Sequence, residues 1–119
     1  MTMDVADNVD RLLGELEKVE PPFETLGTPV LGETDAVKRL VLMGGKIVPN
    51  LLERTKETSS PKRLAYIALI LGRIGDQRAV EPLRVLRARF QGQASKSMWD
   101  YAVIGQCDVA LSKLSKSVG

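Results

Sequence analysis

Histidine is absent from the 119 residues, and with it any imidazole base, any His-assisted nucleophile and any His-ligated metal. Cysteine occurs once, as Cys107, so no internal disulfide can form and nothing points to an oxidising compartment. Aromatic residues make up only 4% of the chain, which leaves the core to Leu, Val, Ile and Ala. No apolar run approaches the roughly 20 residues that span a bilayer. The first residues, M-T-M-D-V-A-D, are acidic where a secretory signal is basic and then apolar. Together these absences predict a cytoplasmic protein without a membrane segment. Nucleotide and redox motifs are missing too: there is no C-x-x-C, no G-x-x-x-x-G-K-[ST] and no G-x-G-x-x-G. Pairs such as Glu15 with Glu17 or Glu53 with Glu57 fall on helix faces that read as solvated, so they make no acid–base dyad. Cys107 sits on an apolar helix face and reads as a small packed hydrophobe. The expectation is a protein with no catalytic residues, no cofactor and no metal, hence not an enzyme.

What is present is helical periodicity. The segment Leu64–Leu71 is continuously apolar, Gly72 and Gly75 punctuate it, and Asp76 stands where a second helix can start. Ala79, Leu83, Leu86 and Phe90 then recur at i, i+4, i+7 and i+11, one face of an α-helix. The glycines suit turns and close helix packing. A helix without a polar face must be covered on several sides, so Leu64, Ile67, Ala68, Leu71, Leu83 and Leu86 are predicted at the centre of the core.

The remaining chain follows the same rule. Val5, Val9, Leu12, Leu13 and Leu16 predict a helix over 4–19, capped by Asp4 or Asp7 and ended by Pro21 and Pro22. Residues 20–34 read as a long irregular connection, functional or a tether, with Phe23, Leu26, Val30 and Leu31 packing partly on the body. Thr34 or Asp35 caps a short helix carrying Ala36, Val37, Leu40 and Val41, which Gly44-Gly45 breaks. Ile47, Val48, Leu51, Leu52 and Thr55 line the next helix, with Pro49 in its first turn, where the missing N–H costs little. Pro61 begins the apolar helix and Pro82 falls in the first turn of its partner. Trp99, Ala102, Val103, Cys107, Ala110, Leu111 and Leu114 give a last helix over roughly 96–115.

An internal repeat emerges, because Ile47-Val48-x-x-Leu51 and Ala79-Val80-x-x-Leu83 match at an offset of 32 residues, each preceded by glycine. Tyr101-Ala102-Val103-Ile104 resembles Leu64-Ala65-Tyr66-Ile67 as a partial third copy. One hairpin cannot bury its own apolar face, so stacking creates the core. The predicted fold is all-α: about six helices in stacked antiparallel hairpins, a short α-solenoid. Within one domain, 1–32 supply a cap helix and proline-rich loop, 33–95 two hairpins and 96–115 a closing helix.

The stretch R-L-A-Y-I-A-L-I-L-G-R-I-G-D-Q-R-A-V-E-P-L, Arg63–Leu83, resembles the HEAT-like repeats first associated with phycobilisome lyases, R-x-x-A-x-x-A-L-G-x-I-G-D-x-R-A-V-x-P-L. The resemblance is close over 62–90, weaker over 35–57, where G-G-K-I-V-P-N-L-L lacks the D-x-R element, fainter over 96–115 and absent from 1–32. It implies a HEAT-like solenoid in which Asp76 and Arg78 brace neighbouring hairpins and second helices line a partner-binding face. It is specific for fold and weak for function.

Charge is unevenly spread. Residues 1–35 carry nine acidic and two basic side chains, a net of −7, and 60–93 carry seven basic and two acidic, a net of +5. On the helix 78–91 the outward residues are Arg78, Glu81, Arg84, Val85, Ala88 and Arg89, and Arg78, Val85 and Arg89 share one stripe. Arginine suits carboxylate partners through bidentate hydrogen bonds. The expected function is a protein–protein interaction or scaffold module whose partner site is Arg78, Glu81, Arg84, Val85 and Arg89. The partner is an unidentified protein or peptide, acidic in character, or a second copy's acidic N-terminal segment in a homodimer. Two alternatives stand beside it: nucleic-acid or phosphate binding along 60–93, and an accessory subunit of an enzyme such as a bilin lyase. The small net charge and the acidic first third argue against nucleic acid.

Overall fold

The computed structural model describes residues 4–18, 31, 34–57, 60–94 and 96–116, and among them every regular element is helical. Six α-helices are formed: α1 (Val5–Glu17), α2 (Asp35–Met43), α3 (Val48–Glu57), α4 (Pro61–Ile74), α5 (Val80–Gln91) and α6 (Met98–Lys116). Single 3₁₀ turns over Gly44–Ile47 and Gln77–Ala79 lead into α3 and α5. No helix among the described residues is long and apolar enough to cross a membrane. Most of the 20–34 connection lies outside the described residues; of it, Leu31 packs against the core.

Local chemistry sets the boundaries. Thr34 Oγ1 accepts a hydrogen bond from the Val37 N–H, and Ser60 Oγ accepts from the Arg63 N–H with Pro61 at the first helical position. Asp4 occupies the N-cap of α1 without a side-chain bond. The last helix begins at Met98 rather than 96, because Ser97 caps it reciprocally with Asp100. The Ser97 N–H donates to Asp100 Oδ2 at 2.8 Å, and the Asp100 N–H donates to Ser97 Oγ at 3.3 Å. Gly44 (φ 68°) and Gly75 (φ 78°) end α2 and α4 with positive φ, a backbone state that side chains resist. Gly44 opens the 3₁₀ turn that leads into α3, and Gly75 with Asp76 precedes the one that leads into α5.

Helix α4 is the centre of the core. Leu64 through Gly72 are buried without interruption, and α1, α2, α3 and α6 all pack on it. The predicted core residues Leu64, Ile67, Ala68, Leu71, Leu83 and Leu86 are all buried. Helix α6 lies against α4 and α5, burying Ala102, Val103, Cys107, Ala110 and Leu114. The approach of α6 to α4 requires Gly72, since a Cβ there would meet Ala110 Cα and Cβ at 2.8 Å. One apolar residue departs from its predicted place. Val5, expected on the inner face of the first helix, is 40% exposed, because it opens α1 one turn ahead of the buried stripe Val9, Leu12, Leu13 and Leu16.

Polar ties link distant segments. Arg54 of α3 grips Asp10 of α1 through Nε at 2.5 Å and Nη2 at 3.0 Å. Lys62 Nζ donates to the Glu17 carbonyl at 2.9 Å, and Arg63 Nη2 to the Glu17 carboxylate at 3.1 Å. Gln77 Nε2 donates to the Leu114 carbonyl at 2.8 Å, and Arg87 pairs with Asp108.

Candidate interaction site on α5

Helix α5 turns Leu83, Leu86 and Phe90 inward and leaves Glu81, Arg84, Val85, Ala88 and Arg89 outside. The five residues singled out in the sequence are thus on the surface, but they do not do the same work. Asp76 Oδ1 accepts from the Arg78 N–H at 2.9 Å, and Arg78 Nη2 donates to Asp76 Oδ2 at 2.7 Å and to the Gly45 carbonyl at 2.9 Å. Gly45 belongs to the turn before α3, so this guanidinium spans the two repeated turns. These hydrogen bonds from Arg78 hold the Asp76 carboxyl below its ordinary range, and Asp76 raises the guanidinium's pKa in return. Arg84 Nη1 sits 2.7 Å from Glu81 Oε1, an exposed pair one turn apart. Arg89 has a different partner: its guanidinium carbon lies 5.1 Å from the centre of the Phe90 ring, with no carboxylate in ion-pair range among the described residues.

Val85, 65% exposed, stands between these side chains. It edges a groove of about 290 Å³ between α3 and α5, lined by Thr55 and Lys56 on one side and Glu81, Pro82, Val85, Leu86 and Arg89 on the other. The floor is mostly apolar and the rim carries two cations. Val85 and Arg89 are among the residues singled out in the sequence; Lys56 is not, because nothing in the sequence sets α3 beside α5. Lys56 follows Thr55, whose hydroxyl donates to the Leu52 carbonyl at 2.6 Å and which is buried at the groove's base. A side chain beside a half-polar buried position at the end of a helix was the available signal.

A second apolar groove, about 330 Å³, lies between α2 and α4 among Lys38, Val41, Leu42 and Arg73, and Leu42 is 84% exposed. Tyr66 and Trp99 pack with ring centres 6.4 Å apart, and Lys62 Nζ lies 5.4 Å over the indole. Cys107 is fully buried and burial pushes its thiol up to about 12, which removes nucleophilic thiolate at neutral pH. No group of three or more His, Cys, Asp or Glu side chains among the described residues is placed to hold a metal ion. Compared with known proteins, the chain matches no family model, no curated protein and no solved structure.

Proposed function

We propose that this chain is a non-catalytic interaction module, a short HEAT-like α-solenoid that binds another protein through the outward face of α5. The observation that carries the reading is Val85, an aliphatic side chain left exposed at the lip of an apolar groove and bracketed by arginines. Isolated exposed apolar residues are ordinary; one that continues a groove floor is a contact waiting for a partner. The repeated sequence of positive-φ glycine, 3₁₀ turn and helix supports the solenoid, as does the Arg78 bond to the Gly45 carbonyl, which ties one repeat's turn to the next.

Charge pairing favours a protein partner over nucleic acid. Of the seven basic residues in 60–93, Arg63, Arg78, Arg84 and Arg87 already face Glu17, Asp76, Glu81 and Asp108. A phosphate-tracking surface needs uncompensated cations in series, since counterion release drives that binding. The test is the double substitution Arg84→Glu/Arg89→Glu. Both side chains are exposed, so the helical signal and melting temperature stay close to wild type while partner association is lost. Normal association by the folded double variant would move the partner surface elsewhere.

A further inference from the structure

The stripe Glu81, Val85, Arg89 has a polarity. These residues are four apart, so they follow one another along α5 at about 6 Å per step. Glu81 is neutralised by Arg84 at 2.7 Å. Among the described residues neither Arg89 nor Lys56, across the groove, has a carboxylate in ion-pair range, whereas the other arginines on and just before α5, namely Arg78, Arg84 and Arg87, each have one. The groove therefore presents an apolar middle, formed by Pro82, Val85 and Leu86, and two cations in its lining, Lys56 from α3 and Arg89 from α5, with no ion-pair partner among the described residues. With one face of the Arg89 guanidinium over the Phe90 ring, its N–H edge remains available for a carboxylate.

From this geometry we infer that the α3/α5 groove takes a short acidic segment of a partner protein, seating one aliphatic side chain on Val85 and Pro82 and placing a carboxylate against Arg89 and Lys56. The inference rests on the interaction reading above and specifies its ligand. A helical segment meets the requirement with Leu, Ile, Val or Met one turn from Asp or Glu, the helix-in-groove mode of recognition. The groove admits about one anchoring side chain, so affinity depends on the charged contacts and weakens with salt.

A randomised displayed peptide library selected against the purified chain tests this. Recovered peptides should carry an aliphatic residue with Asp or Glu three or four positions away. Binding of a synthetic peptide of that consensus should weaken at least about tenfold on Arg89→Glu, on Lys56→Glu and on Val85→Ser, and fall as salt rises from about 50 to about 500 mM. All three positions are exposed, and circular dichroism confirms that each variant is folded. Peptides that need Val85 but are neutral or basic, or that ignore Arg89→Glu and Lys56→Glu, overturn the acidic ligand and leave the interaction reading standing. Peptides insensitive to all three variants, or no enrichment at all, overturn both. Self-association of the wild-type chain that Val85→Ser abolishes would instead assign the groove to a second copy and overturn the inference.

Discussion

Replacing Gly72 by alanine should destabilise the protein even though alanine is the better helix former. Gly72 is buried near the end of α4, where α6 crosses it. A methyl group added there would lie 2.8 Å from both Cα and Cβ of Ala110. Carbon atoms pack comfortably at about 3.5–4.0 Å, so α4 and α6 must part by close to 1 Å. The obstacle is backbone, which cannot swing aside as a flexible side chain would. Overpacking of this kind costs about 1–3 kcal/mol, while a glycine-to-alanine change inside a helix returns at most about 1 kcal/mol. The net expectation is a loss of about 1–2 kcal/mol, since parting the helices also loosens Cys107 and Leu114 from their neighbours. Gly105 of α6 is the control: it is exposed, and an added Cβ meets nothing within 4 Å. Gly105→Ala should therefore gain about 0.5–1 kcal/mol from propensity alone. Urea unfolding followed by circular dichroism gives both values as midpoint shifts at constant slope. A Gly72→Ala midpoint that rises in step with Gly105→Ala would refute the close approach of α4 and α6, and with it the packing described here.

Three further outcomes follow from Tyr66, Cys107 and Glu17. Tyr66 is wholly buried and its hydroxyl makes no hydrogen bond among the described residues, so Tyr66→Phe should leave stability unchanged or raise it by about 1 kcal/mol; a loss of that size in thermal unfolding would reveal a partner for the hydroxyl. Cys107, its thiol pushed up to about 12, should resist a chromogenic disulfide reagent at pH 8 until urea unfolds the chain, and rapid native-state labelling would contradict its burial. The Glu17 carboxyl is held below its ordinary value of 4.5, first by the Ser60 hydrogen bond and then by Arg63, against a desolvation penalty. A depressed carboxyl stabilises the fold above its unfolded pKa, so this contribution is full at neutral pH and fades as pH falls through about 4.5 and below. Glu17→Gln should accordingly lower the melting temperature at pH 7 but not at pH 3; an equal drop at both would show that the charge is not what matters.

Much of the helical frame is legible in the sequence. The apolar run Leu64–Leu71 has no solvent face, Pro61 suits only a helix start, and Gly75 suits a left-handed stop, so α4 follows from local rules and its burial from the absence of polar residues. The stop at Gly44 and the Thr34 cap follow in the same way. Val5 misled because periodicity reports which face a residue is on, not whether a neighbour reaches that far along the helix. Tertiary partners stayed hidden for a related reason. Nothing local tells that Arg54 will meet Asp10 across 44 positions. At the candidate site, Val85 was legible as an apolar residue on a polar face. Which arginine lacks a carboxylate was not, because the sequence shows Arg78, Arg84, Arg87 and Arg89 as equals. The groove itself is made jointly by α3 and α5, so Lys56 acquires meaning only when the two helices are set side by side.

The central claim is that partners bind on α5 at the α3/α5 groove, and amide chemical-shift mapping tests it directly. The isotope-labelled chain is titrated with the acidic, aliphatic-anchored peptide recovered by selection. Saturable shifts centred on Lys56, Val85 and Arg89, absent in the Arg89→Glu variant, are expected. Shifts centred instead on Lys38, Val41 and Leu42, in the groove between α2 and α4, and unchanged in that variant, would contradict the claim.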